Sequence, residues 1–180
     1  RDALISESEA SVVHTYAVQA VPELARAEPY ARFLIAHDIM DLDEEQEWSL
    51  LRHRQEHQAG GRHRFLDVIV DEMALTMPVP REVMVAQLRH LLELGDGVRG
   101  RVRVVPRDAA IYEDRAHPFD VLEFPLVKDR VSLVHTILGI DFAFKDLTDI
   151  WEFIEERSAL SPEESRELLG RHLTGLTADA

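Results

Sequence analysis

The succession of apolar patterns predicts an α+β fold, a small mixed β-sheet of about four strands covered by helices, with helical segments at both ends of the chain. Three observations predict it. Residues 65–70, Phe-Leu-Asp-Val-Ile-Val, form a run rich in β-branched side chains and too short for a typical helix. Residues 81–94 place Val85, Leu88, Leu91 and Leu92 at intervals of three and four, with Arg81, Glu82, Arg89 and Glu93 free to face water. Residues 101–105 then alternate Arg-Val-Arg-Val-Val, as a half-buried strand does with its arginines outward. At 180 residues, 46% of them hydrophobic, one compact domain over 1–180 is expected.

The first element, within 5–19, is read as a short helix followed by an extended entry to Val21-Pro22, because proline disfavours a helical residue before it. Pro29 suits the first turn of a helix whose spacing runs through Tyr30, Phe33, Leu34 and His37. Asp41 or Asp43 can cap the next helix, with Glu44, Glu45 and Glu47 complementing its positive end. Trp48, Leu50, Leu51 and Gln55 are expected on its inner face, and Ala59-Gly60-Gly61 ends it. The strand–helix–strand unit over 65–105 predicts a parallel crossover. Two further strands, 119–124 and 131–137, joined by a loop with Pro125, Lys128 and Asp129, predict a meander. Phe142, Leu147, Ile150, Trp151 and Ile154 predict a helical face. Ser161-Pro162-Glu163-Glu164 predicts a capping box opening the last helix.

Charge restricts the function. Twenty Lys+Arg against 34 Asp+Glu give a net charge of −14, which argues against direct grip on nucleic acid or an anionic membrane. Protonating all nine histidines would lift that to −5, so mild acid changes the surface field. The absence of cysteine excludes disulfides and thiolate metal sites and fits a cytoplasmic location. No apolar run reaches the roughly 18 residues of a membrane span. Because residue 1 is Arg, the chain is expected to be processed or truncated at its start.

No catalytic residue, metal or cofactor is assigned. His53 and His57 have the i,i+4 spacing of a metal pair, but Arg52 and Arg54 flank them and no third ligand is in register, so they read as a solvated face. Asp71 reads as a cap and Glu72 as the partner of an arginine. The basic stretch holding Arg52, Arg54, Arg62 and Arg64, like residues 99–107, is expected to be neutralised by the acidic segments 41–47 and 141–156. His135, inside an apolar strand, reads as a hydrogen-bonded interior residue. Neither a phosphate-binding glycine loop nor a nucleophile elbow is present.

Several segments in series nonetheless resemble one family. They are Glu9-Ala10, Val21-Pro22-Glu23-Leu24, Tyr30-Ala31-Arg32, Arg54-Gln55, and Asp71-Glu72 with Ala74-Leu75. Met84, Gln87, Leu88, Leu91 and Leu92 follow, then Val102 to Pro106, Pro118-Phe119, and Ala159-Leu160-Ser161-Pro162-Glu163-Glu164-Ser165. The series is similar to the C-terminal domain, long catalogued as a domain of unknown function, of actinobacterial WhiJ-like, antitoxin-like helix-turn-helix transcription regulators. The chain departs from the pattern where Glu23-Leu24-Ala25-Arg26-Ala27 replaces a Gly-Leu-Leu-Gln-Thr stretch. The resemblance implies a DNA-reading helix-turn-helix upstream of Arg1. The present residues would be a cytoplasmic domain that binds a small-molecule effector or a small partner protein, touching neither DNA nor membrane; a homodimer is one assembly open to it. The alternative is a stand-alone small-molecule binder or an enzyme of secondary metabolism on the same fold. Its pocket would lie where the helical cover of the sheet is incomplete, near Tyr16, Arg26, Tyr30, His90, His117 and His135.

Overall fold

The computed structural model describes residues 2–38, 43–61, 63–109, 117–136 and 139–178. Helix α1 (Ala3–Glu9), capped by Asp2, leads into strand β1 (Val12–Ala17). A 3-10 turn, Glu23–Ala25, precedes α2 (Glu28–Ala36) and α3 (Glu44–Gly60). Strand β2 (Phe65–Asp71), a second 3-10 turn (Glu72–Thr76), α4 (Arg81–Asp96) and β3 (Gly100–Val105) follow. Then come β4 (Phe119–Phe124), β5 (Val127–Thr136) and β6 (Gly139–Phe142). Helix α5 (Thr148–Phe153) runs into a π-helical turn, Ile154–Ser158, and α6 (Pro162–Thr177) ends the fold. No helix among the described residues is long and apolar enough to cross a membrane.

The fold is mixed α+β, but its sheet has six strands rather than about four, in the order β3-β2-β1-β4-β5-β6. Strands β1, β2 and β3 are parallel neighbours, and β4, β5 and β6 continue as an antiparallel meander. The two strands beyond the expected set have different origins. Val12–Ala17 contains the polar His14 and Thr15, which mask its β-branched character, yet it is a central strand between β2 and β4. Phe142, expected on a helical face, pairs with Leu133 in a four-residue edge strand, and Gly139, at φ 119°, makes the turn into it. Lys128 and Asp129 lie in β5 rather than in a loop, leaving Pro125-Leu126 as the hairpin turn.

Helices cover the two faces unequally. One face packs Val13, Val68, Val104, Leu122 and Leu133 against residues of α1, α2, α4 and α6. The other packs Tyr16, Ile69, Val105, Phe119 and Val121 against Leu147, Trp151 and Ile154, from α5 and the residues flanking it. That second cover corrects the expected outward arginines of β3: Arg103 is buried at 5% exposure, because α5 lies over it and carboxylates meet it. Leu50, expected inward, is exposed, while Trp48 and Leu51 pack with Ala31. Asp43 caps α3 through the amide of Gln46, and Ser161 with Glu164 closes the capping box of α6. Asp41, Arg62 and Ile137 lie outside the described residues.

Candidate functional site

Strand β1 lies between its parallel neighbour β2 and antiparallel β4, so its carboxyl end adjoins that of β2 and the start of β4. The chain leaving β1 at that end enters Val21-Pro22 and the Glu23–Ala25 turn. Two amides hold this segment. Gln55 of α3 donates to the carbonyls of Glu23 and Arg26, each at 2.9 Å. Gln87 of α4 accepts from the amide of Ala27 (2.8 Å) and donates to the carbonyl of Ala25 (2.9 Å). A turn cannot satisfy its own backbone, so these side chains take the place of a ladder partner.

Against the clamped segment lies an ionic cluster. Arg54 bridges α1 and the turn, donating to both oxygens of Glu7 (3.0 and 2.7 Å) and to Glu23 (2.5 Å). Burial opposes charge on Glu23, but Arg54 and Arg26 outweigh it and hold the carboxyl at about 2. His135 of β5 meets Asp120 of β4 at 2.7 Å, side by side on the same sheet face. Burial disfavours the imidazolium, yet Asp120 overcomes this and raises the pKa above its ordinary value, with Glu23 adding to the effect. Asp120 is 1% exposed, and its Oδ1 has no hydrogen-bond partner among the described residues.

A second cluster lies on the opposite face, under α5. Asp67, fully buried, meets His14 (3.0 Å), Arg101 (2.5 Å) and Arg103 (3.3 Å). Burial pushes its carboxyl up, but the hydrogen bonds of His14 and Arg101 and the charge of both arginines win and hold it at about 2. Glu155 of the π turn pairs with both arginines, and the Trp151 ring packs on His14 at 4.9 Å. This cluster fastens α5 to the sheet.

Of the six residues named from the sequence, the structure gathers some and separates others. Arg26 and Tyr30 meet at Val21: Arg26 Nε donates to its carbonyl (2.8 Å), and its amide donates to the Tyr30 hydroxyl (3.3 Å). His135 is electrostatically linked to the same group through Glu23. Tyr16 lies at the same end of the sheet but on the other face, against Phe119 at 5.6 Å. His117 is exposed just before β4. His90 stands on α4, where burial pushes its pKa down, and no hydrogen bond or ion pair among the described residues joins it to the other five. The sequence reading missed Glu7, Glu23, Arg54 and Asp120. Arg54 carried a signal as half of the Arg54-Gln55 pair; the two pairings 47 and 31 residues away carried none.

Chemically, the arrangement shields charges from water and holds opposite charges at short range from one another. Among the described residues no group of three His, Cys, Asp or Glu side chains could hold a metal ion. The basic stretches are neutralised internally in part: Arg64 and Arg99 donate to the carbonyls of Ser8 and Ala59, and other arginines meet carboxylates. Arg52 pairs with Glu56, and Arg54 with Glu7 and Glu23, while Arg101 and Arg103 use Glu155 of the acidic segment 141–156. Asp71 caps the turn after β2, and Glu72 accepts from the backbone amide of Arg107 and meets His172.

The model of the family described as a domain of unknown function, DUF5753, matches residues 1–171. No curated protein and no solved structure matches the chain.

Proposed function

Because the chain belongs to the DUF5753 family, we propose that it is the regulatory domain of a DNA-binding transcription regulator of the WhiJ-like, antitoxin-like kind. It binds an effector or a small partner protein in the cytoplasm and leaves DNA contact to a helix-turn-helix elsewhere in the protein. The observation that carries this reading is the disposition of its arginines. Phosphate binding needs cations whose counterions are exchangeable. Here Arg32, Arg54, Arg101, Arg103 and Arg130 are engaged with the chain's own carboxylates, on a protein of net charge −14. The resemblance of residues 9–165 to such regulators supports the rest.

The test is the natural gene and its product. A helix-turn-helix encoded upstream of Arg1, and DNA binding that survives deletion of the present domain while its regulation is lost, support the proposal. A start codon directly before Arg1 contradicts it. It would favour a stand-alone binder or enzyme, for which the oriented Asp120–His135 pair is the best starting point.

A further inference from the structure

A cleft of about 610 Å³ opens at the carboxyl end of β2, between the turn that follows this strand, the entry to α4 and the last turns of α6. That volume is within the range of small-molecule sites. Its floor is apolar: Leu75, Met84 and Leu168 are buried, and Met77, Val79 and Leu176 stand half-buried around them. Its rim is basic. Arg171 lines the mouth, is exposed, and forms no ion pair among the described residues. Behind the lining, Arg81 donates to the carbonyl of Leu176 and Arg107 to the hydroxyl of Thr76 at 2.6 Å. Among the described lining residues the carboxylate is Glu72, which is engaged by His172 at 3.0 Å and by the amide of Arg107.

An arginine with no ion pair among the described residues, set beside an apolar floor, stands out in a chain of net charge −14. Such a site discriminates by sign as well as by hydrophobicity, since a neutral apolar guest gains only the floor and a polyanion only the rim. We infer that this cleft binds an apolar-bodied small molecule carrying one negative charge, with Arg171 meeting the charge and the Leu75–Met84–Leu168 floor the body. The inference gives a ligand class to the effector reading and rests on that reading for its biological meaning. It also offers a physical route to the clamped segment. Met77 of the rim accepts from the Tyr30 hydroxyl (3.4 Å), which in turn accepts from the amide of Val21.

Gly175 provides a test that separates filling from unfolding. It lines the cleft within α6, and a Cβ there meets nothing within 4 Å. A larger residue therefore enters the cleft while raising helix propensity. The probe is 8-anilinonaphthalene-1-sulfonate, an aromatic monoanion, with neutral N-phenyl-1-naphthylamine as its comparison, each titrated into the 180-residue chain. One saturable sulfonate site is expected. Gly175→Phe should weaken it at least tenfold with an unchanged or higher Tm. Arg171→Gln, at an exposed position, should weaken the sulfonate several-fold and leave the neutral probe unchanged. Failure to saturate, undiminished binding in folded Gly175→Phe, or equal loss of both probes in Arg171→Gln would overturn the inference. None of those outcomes touches the regulator reading, which stands or falls on DNA binding.

Discussion

Arg54 concentrates more of the structure than any neighbour of its own helix, because three elements converge on one guanidinium. It is fork-bonded to Glu7, whose side chain is 5% exposed, and it holds Glu23 beside it. Removing it leaves a buried carboxylate without a counter-charge, so Arg54→Ala should cost about 3–5 kcal/mol, read as a lower urea midpoint at constant m. A loss under about 1 kcal/mol would mean that water replaces the arginine. Asp67 makes a pH prediction. Its folded carboxyl titrates at about 2 against an ordinary 3.8. A depressed carboxyl contributes stability above its unfolded value and loses it as pH falls through the folded one. Between about pH 4 and pH 2, thermal melts should therefore lose ~2 kcal/mol from this group alone. Asp67→Asn should flatten that slope. His135 works in the opposite sense: its raised pKa contributes stability at low pH that disappears as pH rises through the folded value. Imidazole resonances followed by NMR should move to a lower midpoint in Asp120→Asn, and an unmoved midpoint would contradict the pairing.

At the scale of elements, the residues that made a family resemblance visible turn out to be fasteners. Gln87 and Gln55 hold the Glu23–Arg26 segment, and Ser165 of α6 accepts from the buried amide of Val104 at 2.9 Å. Together with the bond from Leu160 to the Val104 carbonyl, Ser165 covers the outer edge of β3. Ser165→Ala should leave a buried N–H unsatisfied and cost about 1–3 kcal/mol in denaturant unfolding. Gln87→Leu should cost at least as much. It should also speed amide exchange at Ala27, whose partner it removes; unchanged exchange would mean that α4 does not hold the turn. These fasteners explain why α4 and α6 were legible in sequence. Period, cap and anchoring side chain all agree at those helices. They disagree at β1, where His14 and Thr15 interrupt the apolar pattern because they serve an ion cluster and a buried sheet face. The two arginines of β3 misled for a related reason. Alternation reports two faces, but whether the second face meets water depends on α5, some 50 residues later.

Across the whole molecule, the sum of charges was readable and its arrangement was not. Net acidity argues against a phosphate-gripping surface from composition alone. That Arg54 meets Glu7, or that Arg171 stands beside a floor of Leu75, Met84 and Leu168, is a property of the closed chain, since these residues are scattered from one end of the sequence to the other. Of the site residues expected from the sequence, Arg26 and Tyr30 meet at Val21, and His135 is linked to them through the charge of Glu23. Tyr16 shows the limit of choosing polar side chains beside apolar runs, having the right position along its strand and the opposite face. The central claim, that this domain regulates DNA binding without contacting DNA, is tested most directly by fluorescence anisotropy of a labelled duplex titrated with the 180-residue chain at low salt. The account predicts no saturable binding into the high-micromolar range and no salt dependence. Micromolar binding that weakens steeply with added salt, the signature of several released counterions, would contradict it.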